Sequence, residues 1–326
     1  MTTSNARFYI LLTLIYGVVS VLFVLGFNPE PMVAIQGMMA SIPNGLAVFL
    51  SLTRWSIPVL AVVLVIALRR RLVFGLAEVI SVIIFNFAFG MLFISFKATM
   101  PFAVSFYADP YFVNLDLFIH RTDPFRPAYE WFSWIPVGVM KFIYTDIWFL
   151  PTFFLPVWLM IFDGDSNRVR RYMILHAAVW IVLGSVLALI FMSAGPVYYD
   201  VIYGGTRFAE LARLLANHGI PDSAIGFTQQ LLLESYQSGT LTTTSGISAF
   251  PSVHVGMATV VCIYLAERFR FLAIPSAIAV AFYQLLSVQL GWHYAVDGYF
   301  SIFFVGGLWY VLKRRTNPKN SQSVAT

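Results

Sequence analysis

Long apolar runs recur from one end of this chain to the other, and no other feature limits its fold as strongly. The first run, Phe8 to Phe27, matches the roughly 20 residues a helix needs to cross a bilayer, and without a small-residue cleavage site it reads as a retained span. Of the 326 residues, 59% are hydrophobic and 11% charged. A soluble domain carries about 25% charge. The chain therefore reads as an all-α integral membrane protein.

Hydropathy marks about eight transmembrane helices, near residues 8–27, 55–68, 72–96, 139–161, 172–194, 253–267, 271–292 and 294–312. Short basic clusters separate them. With both termini cytoplasmic, Arg7, Arg69 to Arg71, Arg168, Arg170, Arg171, Arg268, Arg270, Lys313 to Arg315 and Lys319 fall inside. Arg54, Lys97, Arg121, Arg126, Lys141, Arg207 and Arg213 remain outside, as the positive-inside rule expects. The net charge of +5 then reflects topology, and no nucleic acid is expected as a partner. Cys262 is the only cysteine, which excludes a disulfide framework and a thiolate metal site. No Asn-x-Ser/Thr sequon occurs, which favours a bacterial source and an inner-membrane location. Residues 1–71 are read as an accessory transmembrane pair, 72–315 as the core and 316–326 as a disordered tail.

Two outer segments are too long to be plain turns. The first, about 98–138, holds the aromatic run Tyr111 to Ile119, then Trp131 and Trp134, and reads as lying on the membrane. The second, about 195–249, opens at Gly195-Pro196 with Tyr198 and Tyr199, has a possible amphipathic helix over Phe208 to Leu215, and ends in the polar run Thr242 to Gly246.

That run leads to Phe250-Pro251-Ser252-Val253-His254, and His293-Tyr294-Ala295-Val296-Asp297 follows after two apolar legs. At about 1.5 Å per residue, the legs descend and return, so both motifs reach the same face. Pro251 is expected as the first helical residue, with Ser252 and His254 in the first turn, where unpaired N–H groups and the Ser252 hydroxyl suit a phosphate. Asp297, one turn after His293, can accept from one imidazole nitrogen and leave the other free as a nucleophile. His254 is then placed as general acid and base. Phosphoryl transfer needs charge neutralisation, for which Lys97 and Arg207 are the outer-face candidates, with Tyr198 a further substrate-binding candidate. His120, His176 and His218 read as interfacial polar residues, and Asp146 and Glu78 as structural or cavity-lining acids.

These residues resemble the type 2 phosphatidic acid phosphatases, which include lipid phosphate phosphatases, glucose-6-phosphatase and the inositol phosphorylceramide and sphingomyelin synthases. Pro251-Ser252-Val253-His254 is similar to that family's second motif, and His293 through Asp297 to its third. The resemblance implies a six-helix core and a phosphohistidine on His293 formed without metal or other cofactor. It also implies His254 as general acid, Asp297 as orienting carboxylate and Ser252 as phosphate ligand. The third motif usually begins Ser-Arg, where this chain has Leu286 and Ser287, and the Lys and Arg-Pro of the first motif are missing at the required spacing. The sphingolipid synthases also lack that arginine, which tilts the expectation toward an inositolphosphotransferase-like enzyme. Such an enzyme would act on a lipid phosphate or phospholipid, with a lipid alcohol as acceptor, at the extracytoplasmic face. The competing class is a transporter or channel whose path the same polar residues line.

Overall fold

Asn5, Tyr9, Thr13, Tyr16 and Ser20 recur at three- and four-residue spacing, so they share one face of helix α1 (Thr2–Phe27), and that face is buried. Leu11, Ile15, Val18 and Leu22 on the opposite side are each more than half exposed. Polar residues inside and apolar residues outside suit a helix whose surroundings are lipid. Tyr9 donates to Asn86 Oδ1 at 2.7 Å, and the Tyr16 and Ser185 hydroxyls lie 2.8 Å apart. A short α2 (Pro31–Ala40) follows, and α1 packs along α3 (Leu76–Ala103).

The computed structural model describes residues 2–40, 75–238 and 246–315, and every regular element among them is helical. After α3 come α4 (Asp109–His120), α5 (Phe125–Phe132), α6 (Val137–Phe153), α7 (Leu155–Phe162) and α8 (Ser166–Ile190). Then follow α9 (Pro196–Tyr203), α10 (Ala209–Asn217), α11 (Ala224–Ser238), α12 (Val253–Arg268), α13 (Ala273–Gln289) and α14 (Ala295–Arg315). Five helices among the described residues are long and apolar enough to cross a membrane, and α6 with α7 makes a sixth if that pair, bent by 54°, is one span. This fits an integral membrane protein. Of the eight expected spans, 55–68 lies outside the described residues, as does most of the polar run Thr242 to Gly246. The expected span 253–267 coincides with α12, which at 16 residues falls short of the roughly 20 needed to cross.

The bend between α6 and α7 has an identifiable cause. Pro151 and Pro156 flank Phe154 and remove two backbone donors where the helix would otherwise continue. Earlier in α6, residues Phe142–Ile147 form a π-turn. Its wider winding places Lys141 beside Asp146, five residues on, at 2.7 Å, which supplies the partner that the sequence left open for this acid.

The C-terminal end of α12 is bound into the bundle. Glu267 accepts from Tyr172 at 2.9 Å and from Trp309 at 2.8 Å and pairs with Arg171, while Asp163 holds Arg168 and the Tyr264 hydroxyl. The short turn after Arg268 sends α13 back antiparallel to α12, so His293 returns to the end where His254 lies. His176 differs from the expected interfacial residue: it is fully buried, with Tyr9, Phe89 and Trp180 around its ring. Position 176 falls mid-helix on the packed face of α8, which is why it does not reach the interface.

Candidate active site

Helix α12 does not begin at Pro251. Ser252 is the N-cap, its hydroxyl oxygen accepting from the Val255 N–H at 3.3 Å, so Val253 is the first helical residue. A serine with extended backbone and a side chain able to reach the exposed N–H groups makes a better cap than proline, and it displaces the expected start by two residues. The Ser252 N–H donates to the Asp297 carbonyl at 3.3 Å, which joins the two motifs directly.

His293 sits in the turn between α13 and α14, 8% exposed. Its Nδ1 lies 2.8 Å from the Ala249 carbonyl oxygen and 3.3 Å from Asp297 Oδ2. A carbonyl only accepts, so Nδ1 carries the proton and the lone pair is on Nε2. Burial pushes the imidazole down to about 3, and the nearby His254 and Lys97 charges act in the same direction. Asp297 is fully buried, and its Oδ2 also accepts from the Tyr294 N–H at 2.9 Å. Gly298 beside it leaves room for Gln284, whose Oε1 stands 1.6 Å from where a Cβ would be.

His254 is held differently. Its ring lies between Trp148, centroids 3.8 Å apart and planes 13° apart, and Tyr144, 4.3 Å and 6°. Its Nε2 donates to the Tyr144 carbonyl at 3.1 Å, and its own carbonyl accepts from Trp148 Nε1 at 2.9 Å. Nδ1 is the nitrogen left to exchange a proton. Tyr144 belongs to the π-turn, which offers its carbonyl sideways; the neighbouring Ile143 carbonyl likewise accepts from Tyr283.

The arrangement presents two imidazoles, each with one nitrogen left over, a helix N-terminus and a nearby cation. A family model described as PAP2 superfamily matches residues 124–311, more than half of the chain, and both motifs lie within it. The chain belongs to the PAP2 superfamily. No curated protein and no solved structure matches it. Membership in PAP2 points to a phosphatase or phosphotransferase in general terms, with a lipid phosphate as the substrate class and a membrane as its setting.

The remaining candidates divide. Lys97 lies upstream of the matched PAP2 region, yet its ammonium bears electrostatically on both imidazoles. Gly246 packs on the Lys97 backbone, where a Cβ would stand 2.4 Å from its carbonyl oxygen. Arg207 is engaged by Asp123 and lies over the Phe208 ring. Tyr198 is buried, its hydroxyl donating to the Gln229 carbonyl at 3.0 Å. Sequence reasoning missed Trp148 and Tyr144, whose four-residue spacing puts both rings on one helix face, and the Ala249 carbonyl, for which the sequence carries no signal. It also missed Asp109 and Asp116, acids seven residues apart within an aromatic run.

Proposed function

We propose that this PAP2 protein transfers the phosphoryl group of a lipid phosphate ester through a phosphohistidine on His293, at the extracytoplasmic face. The observation that carries the reading is the state of His293: Nδ1–H is held by Ala249 and Asp297, burial keeps the ring neutral, and Nε2 is left with its lone pair. Nε2 attacks phosphorus and an N–P bond forms as the P–O bond to the lipid breaks. Burial and the Lys97 charge keep His254 neutral as well, so the phosphate monoanion brings the proton, which Nδ1 of His254 takes up and passes to the leaving oxygen. Water or an alcohol then attacks phosphorus, His254 takes its proton, and the N–P bond breaks. The N-terminus of α12, the Ser252 hydroxyl proton and Lys97 neutralise the phosphoryl oxygens, while Arg207 and Tyr198 shape the surrounding wall.

The acceptor separates a phosphatase from a transferase of the inositol phosphorylceramide synthase kind. Leu286 and Ser287, standing where the family's third motif has Ser-Arg, favour the transferase as a second reading. The test is turnover of phosphatidic acid, lysophosphatidic acid and phosphatidylinositol by the purified full chain and by His293→Ala, with and without EDTA, and with ceramide or diacylglycerol added. EDTA-resistant turnover that the substitution abolishes is the expected result. Free phosphate marks the phosphatase and a new phospholipid the transferase. Turnover unaffected by His293→Ala would overturn the phosphohistidine, and flux of solute without turnover would favour a transporter.

A further inference from the structure

Helix α4 has its polarity reversed. Asp109 and Asp116, seven residues apart, lie on its buried face with Phe112 and Val113, while Tyr111 and Phe118 on the other side are 70% and 68% exposed. Neither acid forms an ion pair with Lys or Arg among the described residues. Burying a carboxylate without a cation is costly, and burial pushes the Asp116 carboxyl up to about 6 although two N–H groups pull the other way. Such groups are usually retained for a purpose.

Their partners point to that purpose. Asp116 accepts from the Ala295 N–H at 2.8 Å and from the Val296 N–H at 3.0 Å, capping the helix that carries Asp297 from a segment some 180 residues away. Asp109 accepts from the Tyr294 hydroxyl at 2.8 Å, from the Gly195 N–H at 2.8 Å, from the Ala194 N–H and from Tyr203. All three residues between His293 and Asp297 are thus held by one helix. Gly195 fits the arrangement: with φ 94° and the Trp292 carbonyl 2.6 Å from where a Cβ would stand, the 194–195 strap lies close against the turn, and Asp109 binds both.

We propose that Asp109 and Asp116 are positioning residues for the reaction at His293, setting the angle between the imidazole and the Asp297 carboxylate by clamping the turn that joins them. The inference rests on the phosphohistidine reading. Both acids lie upstream of the matched PAP2 region, so this clamp is supplied from outside the part of the chain that carries the two motifs. Its chemistry is plain. An exposed helix N-terminus would take its cap from water or a local side chain, whereas here two carboxylate oxygens fix the first two N–H groups in a dry setting and with them the direction in which His293 presents Nε2.

The test compares the full chain with Asp116→Asn, Asp109→Asn and Tyr294→Phe, using the lipid phosphate turned over in the panel above. Asparagine keeps the shape of Asp116 but has one acceptor oxygen for two N–H groups, and Tyr294→Phe removes a single hydroxyl, so it keeps the inference testable if an Asp variant fails to fold. The expected result is a fall in kcat of about 10- to 100-fold with KM within about twofold, the signature of misplacement rather than lost binding. Amide exchange at Ala295 and Val296 is expected to speed up in Asp116→Asn. Unchanged kcat per folded molecule in Tyr294→Phe and the Asp variants, alongside wild-type turnover that still depends on His293, would overturn the clamp and leave the functional reading standing. Failure of the wild type to turn over any member of the panel would sink both.

Discussion

His293 Nδ1 lies closer to the Ala249 carbonyl oxygen, at 2.8 Å, than to the Asp297 carboxylate, at 3.3 Å. The imidazole tautomer is therefore held twice, once by a backbone atom that no substitution removes. In a Ser-His-Asp triad, changing the aspartate to asparagine costs about 10⁴ in kcat because the tautomer is lost. Here Asp297→Asn is expected to cost less, about 10- to 100-fold, since Ala249 still accepts the proton. Steady-state kinetics on the full chain checks this, and a 10⁴-fold loss would mean that the carbonyl contributes little.

Trp148 holds His254 on one ring face and through its backbone carbonyl at once. Trp148→Leu keeps an apolar side chain of some bulk but loses the stacking and the indole donor. The expected outcome is a drop in kcat of about tenfold or more as His254, the proposed general acid, gains rotational freedom. Trp148→Phe, which keeps a ring, should recover part of it.

Lys97 and Arg207 separate by environment. The Lys97 charge reaches both imidazoles, whereas Arg207 is already paired with Asp123. Lys97→Gln is expected to reduce kcat/KM by about 100-fold, on the scale of losing one electrostatic stabiliser of a transition state. Arg207→Gln should give the smaller loss. The reverse order would assign Arg207 to the phosphate.

Acid sensitivity follows from His293. Its folded pKa is lowered from 6.5 to about 3, so between those values the unfolded chain binds a proton that the folded chain does not. Its contribution to stability is full above pH 6.5 and declines as the pH falls, by at most about 1.4 kcal/mol per pH unit. Thermal unfolding in detergent between pH 7 and pH 5 should show a smaller decline for His293→Gln than for the wild type.

Glu267, at the C-terminal end of α12, is addressed by Arg171, Tyr172 and Trp309. Glu267→Ala breaks a partly buried ion pair and two hydrogen bonds and is expected to destabilise by about 2 to 3 kcal/mol. Turnover per folded molecule should hold, because His254 and His293, the proposed reacting groups, lie at the other end of the helix. Loss of kcat without loss of stability would link the two ends.

Several features were legible before any coordinates. Apolar runs of spanning length identify membrane helices because the bilayer sets their minimum length, and two legs of similar length must bring His254 and His293 to one face. The four-residue step from His293 to Asp297 puts the carboxylate within reach of the ring. The start of α12 was less legible: Pro251 is a plausible first helical residue, but the Ser252 hydroxyl competes for the same N–H groups and takes the cap.

Local periodicity and length are properties of a few adjacent residues, so the sequence alone determined the helical membrane class, the shared face of the two motifs and the pairing of His293 with Asp297. The hold on His254 by Tyr144 and Trp148, the Ala249 carbonyl on His293 and the grip of Asp109 and Asp116 on the 294–296 turn join residues dozens to nearly two hundred positions apart. Only the tertiary structure decided these, because they depend on how each helix is rotated when it packs. A buried carboxylate or imidazole is then oriented by whichever donors and acceptors that rotation brings within about 3 Å.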